Sequence, residues 1–214
     1  MQKVYSYLLL FLLPALFSAC VSPRQMAMFR SEETGTFTLP AVPEPVIRPY
    51  DSLNIRLSAL DGEAITPYRD FGSVFVVNAE GDIVMPILGA VRLVDMTERQ
   101  AAETIAAKLA SGVKQPAVQV VNESLFVTIL GEVRSPNRYR IRPALTLPDL
   151  IGLAGGLTPN GRRDDILLIR KDGNTVTQYR LSLSDNSLFA SPCYWLQRDD
   201  VIIIAPRHSR KVNK

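Results

Sequence analysis

SVFVVNAEGDIVMPILG, Ser73–Gly89, carries two apolar runs on either side of Asn78-Ala79-Glu80-Gly81. Runs of valine, isoleucine and phenylalanine suit a pleated surface, and an Asn/Gly-bearing interval of four residues is a turn signal. The stretch predicts two strands joined as a hairpin. AVRLVDM adds a short strand after it. Thr97-Glu98-Arg99-Gln100 then opens a helix: Thr97 caps it and Gln100 reaches back, a capping box. Ala101, Ile105 and Leu109 recur every four residues and form its buried stripe, and Gly112 ends it. Upstream, SLNIRLSA (52–59) alternates Leu53, Ile55 and Leu57 with polar residues, a half-buried strand. Downstream, AVQVVN (117–122) returns as a strand. Residues 46–122 thus read as one mixed α/β unit.

A second unit follows, over 123–206. SLFVTILGEV (124–133) reads as a strand, Ser135-Pro136-Asn137 as a turn, and RYRI as the strand pairing back. Thr146 caps a short helix with Pro148 in its first turn. Leu147, Leu150, Ile151 and Ala154 face its core, and Gly155-Gly156 stops it. DILLIRK, the turn Asp172–Asn174 and TVTQYRL form a further hairpin, and VIIIA (201–205) closes the sheet. Strand pair, helix, strand pair, strand is a β-grasp order. The fold class is therefore α+β: two small mixed α/β units, the second a β-grasp.

The N-terminus has another character. Lys3 gives one positive charge, Val4–Phe17 is an almost wholly apolar run, and the small residues Ser18 and Ala19 follow. That is the layout of a secretory signal, residues 1–19. The apolar run of about 14 residues is shorter than the ~20 needed to span a bilayer as a helix. A plain signal cut at Ala19 and an uncleaved anchor both fit these residues. Cys20 directly after two small residues resembles a bacterial lipobox, with Phe17 where leucine is usual. That resemblance implies cleavage after Ala19 and acylation of Cys20. Val21, rather than aspartate, favours the outer membrane by the same resemblance. Residues 20–45 hold Pro40, Pro43 and Pro45 without periodicity, a flexible or extended tether. Residues 207–214 form a basic tail with Arg207, Arg210, Lys211 and Lys214.

The totals exclude several function classes. Lys+Arg is 24 against Asp+Glu 21, a net +3. That balance is too weak for nucleic acid, so no nucleic-acid partner is expected. Two cysteines make no disulfide framework. Cys193 reads as a small buried core residue, with an intermolecular disulfide as the alternative. The sole histidine, His208, sits in the tail, where no catalytic triad is built. No metal-ligand cluster or phosphate-cradling glycine loop occurs, so no metal, cofactor or catalytic residue is expected. The glycines of 152–156 are explained by a helix end. Asp164-Asp165 and Asp199-Asp200 read as turns leading into strands rather than as paired catalytic acids.

VVNAEGDIVMPILGAVRLVDMT (76–97) resembles the core of the polysaccharide export domain. RPYDSLNIRL resembles its opening, with Tyr50 in place of the usual glycine. ILGEVRSPNRYRI, TLPDLIGLAGGLTPNG and ILLIRKDG resemble the soluble-ligand-binding β-grasp (SLBB) domain. LQRDDVIIIAP resembles that domain's close, with Asp199 where glycine is common. The chain is thereby similar to the outer-membrane polysaccharide export proteins of Gram-negative bacteria, in a short lipoprotein form.

The resemblance implies a lipid-anchored, homo-oligomeric ring at the outer membrane, its body facing the periplasm. It would conduct acidic or neutral capsular or exopolysaccharide to the cell surface, without catalysis. An inner-membrane polysaccharide co-polymerase would dock beneath. Larger members carry a C-terminal pore helix; ending at Lys214, this chain is expected to form a collar served by a separate outer-membrane pore protein. Arg92, Arg138 and Arg140 are the candidate lumen residues, and no ligand-binding set is assigned. The competing expectations are a monomeric periplasmic lipoprotein binding a soluble sugar-like ligand through the β-grasp unit, and an envelope-polysaccharide enzyme.

Overall fold

The computed structural model describes residues 28–29, 35–60, 62–69 and 73–207. Ala19, Cys20, His208 and the tail beyond Arg207 lie outside them. The chain is α+β, and its buried residues form two hydrophobic cores that follow one another in sequence.

In the first unit, β1 (Ser52–Ser58) lies between two antiparallel partners, β2 (Val74–Val76) and β5 (Ala117–Asn122). Its alternation buries Leu53 and Ile55. Helix α1 (Gly62–Arg69) links β1 to β2. No helical stripe marks it in the sequence, because Ile65 is the one fully buried residue among its described side chains and Pro67 lies inside it. Helix α2 (Glu98–Leu109) starts with both halves of the Thr97/Gln100 capping box and buries Ala101, Ile105 and Leu109. It ends at the Ala110 cap, two residues before Gly112.

The hairpin expected over 73–89 is corrected. Both strands exist, but β2 pairs with β1, while β3 (Asp82–Met85) pairs with β4 (Gly89–Arg92). The turn explains the change of partner. Asn78 Oδ1 accepts the Asp82 N–H at 2.8 Å, and the Gly81 carbonyl accepts the N–H groups of Leu93 and Val94, each at 3.0 Å. Gly81 has φ +92, and a Cβ there would meet the Val94 side chain at 2.5 Å. The turn is therefore pinned beneath the end of β4.

In the second unit five strands run in the order β7-β6-β10-β8-β9. They are β6 (Phe126–Gly131), β7 (Asn137–Arg140), β8 (Gly161–Asp172), β9 (Thr175–Leu181) and β10 (Val201–Pro206). The VIIIA run completes the sheet from its middle: β10 is parallel to β6 and antiparallel to β8, with Ile202 and Ile204 buried. Helix α3 (Leu147–Leu153) carries a reciprocal Thr146/Asp149 cap and buries Leu147, Leu150 and Ile151. Gly155 and Gly156 follow at φ +77 and +89. Asp164 and Asp165 lie within β8, not in a turn before it. Pairing of Pro206 with Gly161 draws β8 back over them, and Arg162 and Arg180 engage Asp165 at 3.0 and 2.5 Å.

The described part of residues 20–45 remains extended but is not a free spacer. The Phe29 N–H donates to the Leu183 carbonyl at 2.8 Å. The Phe29 and Phe37 rings stack on Phe189 with centroids 5.3 and 5.0 Å away. The Trp195 indole N–H donates to the Pro40 carbonyl at 2.8 Å. The segment crosses the second unit before Ile47 enters the first core. Among the described residues, no helix is long and apolar enough to cross a membrane.

Candidate functional site

Two buried aspartates organise the joint between the units. Asp51 precedes β1 and is 1% exposed; Asp200 precedes β10 and is 0% exposed. Their turns are near copies. The Arg48 N–H donates to Asp51 Oδ2 at 2.9 Å, and the Gln197 N–H donates to Asp200 Oδ2 at 2.8 Å. The Asp51 and Asp200 N–H groups return to the carbonyls of Arg48 and Gln197, each at 3.2 Å. Ile47 N–H donates to Met96 O at 2.8 Å, and Leu196 N–H to Leu145 O at 2.9 Å. Val46 bridges the capping Thr97, and Trp195 bridges the capping Thr146. Each turn also contains a left-handed residue, Tyr50 at φ 69 and Asp199 at φ 65. These are the two positions where the related motifs usually carry glycine.

A buried carboxylate is costly unless paired and hydrogen-bonded. Asp200 receives Arg170 Nε at 2.8 Å and Nη2 at 2.7 Å, within its own unit. Asp51 takes its arginine from the other unit: Arg198 Nη1 and Nη2 donate to it at 2.8 and 2.7 Å. Asn122 Nδ2 adds a contact of 2.7 Å. Burial works against the Arg198 charge, but the hydrogen bond and charge of Asp51 outweigh it and hold the guanidinium above its ordinary pKa. Ser52 N–H to Ser124 Oγ, at 2.8 Å, stitches the same joint.

Beside this joint lies a hollow of about 350 Å³. Val42, Pro43, Pro45, Ile47, Leu125 and Pro143 give it an apolar wall. Two of its charged groups are committed: Glu98 accepts the Asn122 N–H at 2.7 Å, and Arg99 pairs with Glu103 at 2.9 Å, which leaves Glu44 as its uncommitted charge. No aromatic ring lines it. Sugar capture wants several convergent polar groups and a ring face, so this hollow suits an apolar group better.

The structure separates the arginines picked from the sequence. Arg92 sits on β4 of the first unit, 3.7 Å from Asp82, and donates to the Glu80 carbonyl at 2.6 Å. Arg138 and Arg140 share the outward face of β7. Sequence reasoning missed Arg198, Arg170 and the buried roles of Asp51 and Asp200. The available signal was an aspartate directly after a turn and directly before an apolar strand, twice. Cys193 is fully buried, as its core assignment has it. Among the described residues no group of histidine, cysteine or acidic side chains is arranged to hold a metal ion.

Residues 39–122 match the polysaccharide biosynthesis/export protein family, and residues 126–179 match the SLBB domain. The chain is also similar to the EPS I polysaccharide export outer membrane protein EpsA of Ralstonia solanacearum, at 24% identity over 142 residues. That alignment covers 64% of this chain and 37% of the relative, so the chain spans little more than a third of the relative's length. The gap between the two family matches falls at the Asn122–Leu125 joint.

Proposed function

Because the chain belongs to the outer-membrane polysaccharide export family, with an export domain followed by an SLBB domain, we propose that it is a lipid-anchored component of the apparatus carrying capsular or exopolysaccharide from the periplasm to the cell surface. The observation that carries this is the order and extent of the two matches, which together run from residue 39 to 179. The matched export family and the relative are described as export proteins, not as enzymes.

The physical logic is that of a conduit. A hydrated polymer would lose hydrogen bonds with water on entering hydrocarbon, so it needs a wide, wet path. Copies of the chain form that path by head-to-tail repetition around an axis. The buried Arg198–Asp51 pair supports this reading by making each copy one stiff block rather than two hinged ones. Acylated Cys20 fixes the ring to the outer membrane, since one acyl chain alone binds marginally and several bind firmly. An inner-membrane co-polymerase delivers polymer from below, and a separate outer-membrane pore protein receives it.

The test is surface polysaccharide in a deletion strain complemented with the intact chain or with Cys20→Ala. Loss on deletion, rescue by the intact chain and failure of Cys20→Ala support a lipid-anchored exporter. Unchanged surface polymer on deletion overturns the export role, and full rescue by Cys20→Ala overturns the anchor.

A further inference from the structure

We propose that the outward face of β7 is a track for an anionic sugar polymer. It deepens the export reading above and rests on it for the polymer's biological identity. Residues 134–142 contain Arg134, Arg138, Arg140 and Arg142 and no carboxylate. The last three alternate with half-buried Tyr139 and buried Ile141, so all three point away from the core. The strand ladder continues past Arg140, because the Ile141 N–H donates to the Leu125 carbonyl at 2.9 Å. Same-face side chains on a strand repeat every ~6.6–6.8 Å, twice the per-residue rise. That is shorter than the ~8–10 Å screening length of ordinary buffers, so the three charges act on a polyanion together.

The row is incompletely neutralised within the chain. Arg140 approaches Glu123 only to 3.9 Å, and no carboxylate among the described residues pairs with Arg142. The Arg138 guanidinium sits over the Phe126 ring, 4.3 Å from its centroid. Such a guanidinium is held in place yet keeps its edge donors for a carboxylate.

The rest of the face fits the other half of such a ligand. Leu130, Ile203 and Leu167 lie in register across β6, β10 and β8, on the side away from α3. Leu130 is 43% exposed. Aliphatic surface takes the C–H faces of sugar rings, while the arginine edge takes their acid groups. Neutral glucans lack the second half. The fitting ligand is therefore a uronate-bearing or otherwise acidic glycan.

The experiment uses the full chain, fluorescent polygalacturonate as the anionic probe, fluorescent dextran as the neutral one, and anisotropy at low and moderate salt. Exposed charge contacts are individually modest, so losing three weakens binding about tenfold. Arg138→Gln/Arg140→Gln/Arg142→Gln should show that loss for polygalacturonate. Arg56→Gln/Lys108→Gln/Lys114→Gln, which removes equal charge from exposed positions elsewhere, should bind within about twofold of the parent chain, and dextran should not bind.

If the first triple variant melts early because Arg138 no longer covers Phe126, Arg140→Gln/Arg142→Gln carries the same comparison. Equal losses in the two triple variants would overturn the track in favour of net charge. So would equal dextran binding, or unchanged binding with new aggregation, the sign that the arginines only guard a sheet edge. Failures of the two readings are separable. Binding retained by a chain whose deletion leaves surface polymer intact removes the export role and keeps the site. Export lost on deletion without any probe binding removes the site and keeps the role.

Discussion

The Arg198 guanidinium grips both carboxylate oxygens of Asp51 at 2.7 and 2.8 Å across a sequence separation of 147 residues. Asp51 is 1% exposed and the Arg198 side chain 14%. Removing one member strands the other in the joint. Arg198→Ala should cost about 3–5 kcal/mol, as breaking a buried pair does. Urea unfolding measures it. A loss under about 1 kcal/mol would mean that the Asn122 and backbone donors suffice for Asp51.

Tyr50 holds φ 69 and is 74% exposed. A non-glycine residue in the left-handed region costs roughly 1–2 kcal/mol, and little burial is lost by trimming this ring. Tyr50→Gly should therefore stabilise the chain by about 1 kcal/mol, part of the relief being returned as glycine's extra unfolded-state entropy. Asp199→Gly should gain less, because aspartate tolerates this conformation. A fall in melting temperature for Tyr50→Gly would show that its ring has a packing role.

Burial pushes the Cys193 thiol above its ordinary pKa, and the nearby Arg170 charge only partly opposes it. The unfolded thiol ionises near ~8.5. Its contribution to stability is thus complete below that pH and is lost as pH rises towards the folded value. The stability difference between the parent chain and Cys193→Ala should be flat below pH ~8. Above it, the difference should fall by at most ~1.4 kcal/mol per pH unit. Parallel curves up to pH ~10 would refute the shift.

Phe37, Pro40, Phe189 and Trp195 fasten the N-terminal segment to the second unit. Phe37→Ala should red-shift Trp195 emission and speed proteolytic cleavage within residues 35–45, with the body's melting temperature nearly unchanged. The chain has one tryptophan, which makes the signal clean. Unaltered cleavage would mean that the Pro40 contact alone holds the segment.

Local signals were legible in the sequence where they act over a few residues. The Thr97/Gln100 capping box, the Thr146 cap, the α2 stripe and the β8–β9 hairpin are set by neighbours close in sequence, and they fold as their residues dictate; the return contact of Asp149 to Thr146 went unread. What misled was partner choice. Nothing local to Val74–Val76 says that it pairs with β1 rather than β3; that is set by Gly81 tucking beneath Val94. The pairing of Asp51 with Arg198 joins positions whose proximity exists only after both units have folded. The edge row of β7 was half seen, as Arg138 and Arg140. Arg142 extends it because the ladder runs on past the strand's formal end.

The middle place of β10 sets a schedule for folding. Its neighbours β6 and β8 are not bonded to each other, so until residues 201–206 arrive the second unit is two separate hairpins, β6–β7 and β8–β9. A chain emerging N-terminus first completes its export domain early, then waits with two exposed apolar ribbons for the strand made last. Closure of that sheet also delivers Arg198 to Asp51. The same late event therefore welds the units together, and a chain stalled short of it offers unfinished strand edges to any chaperone or protease it meets.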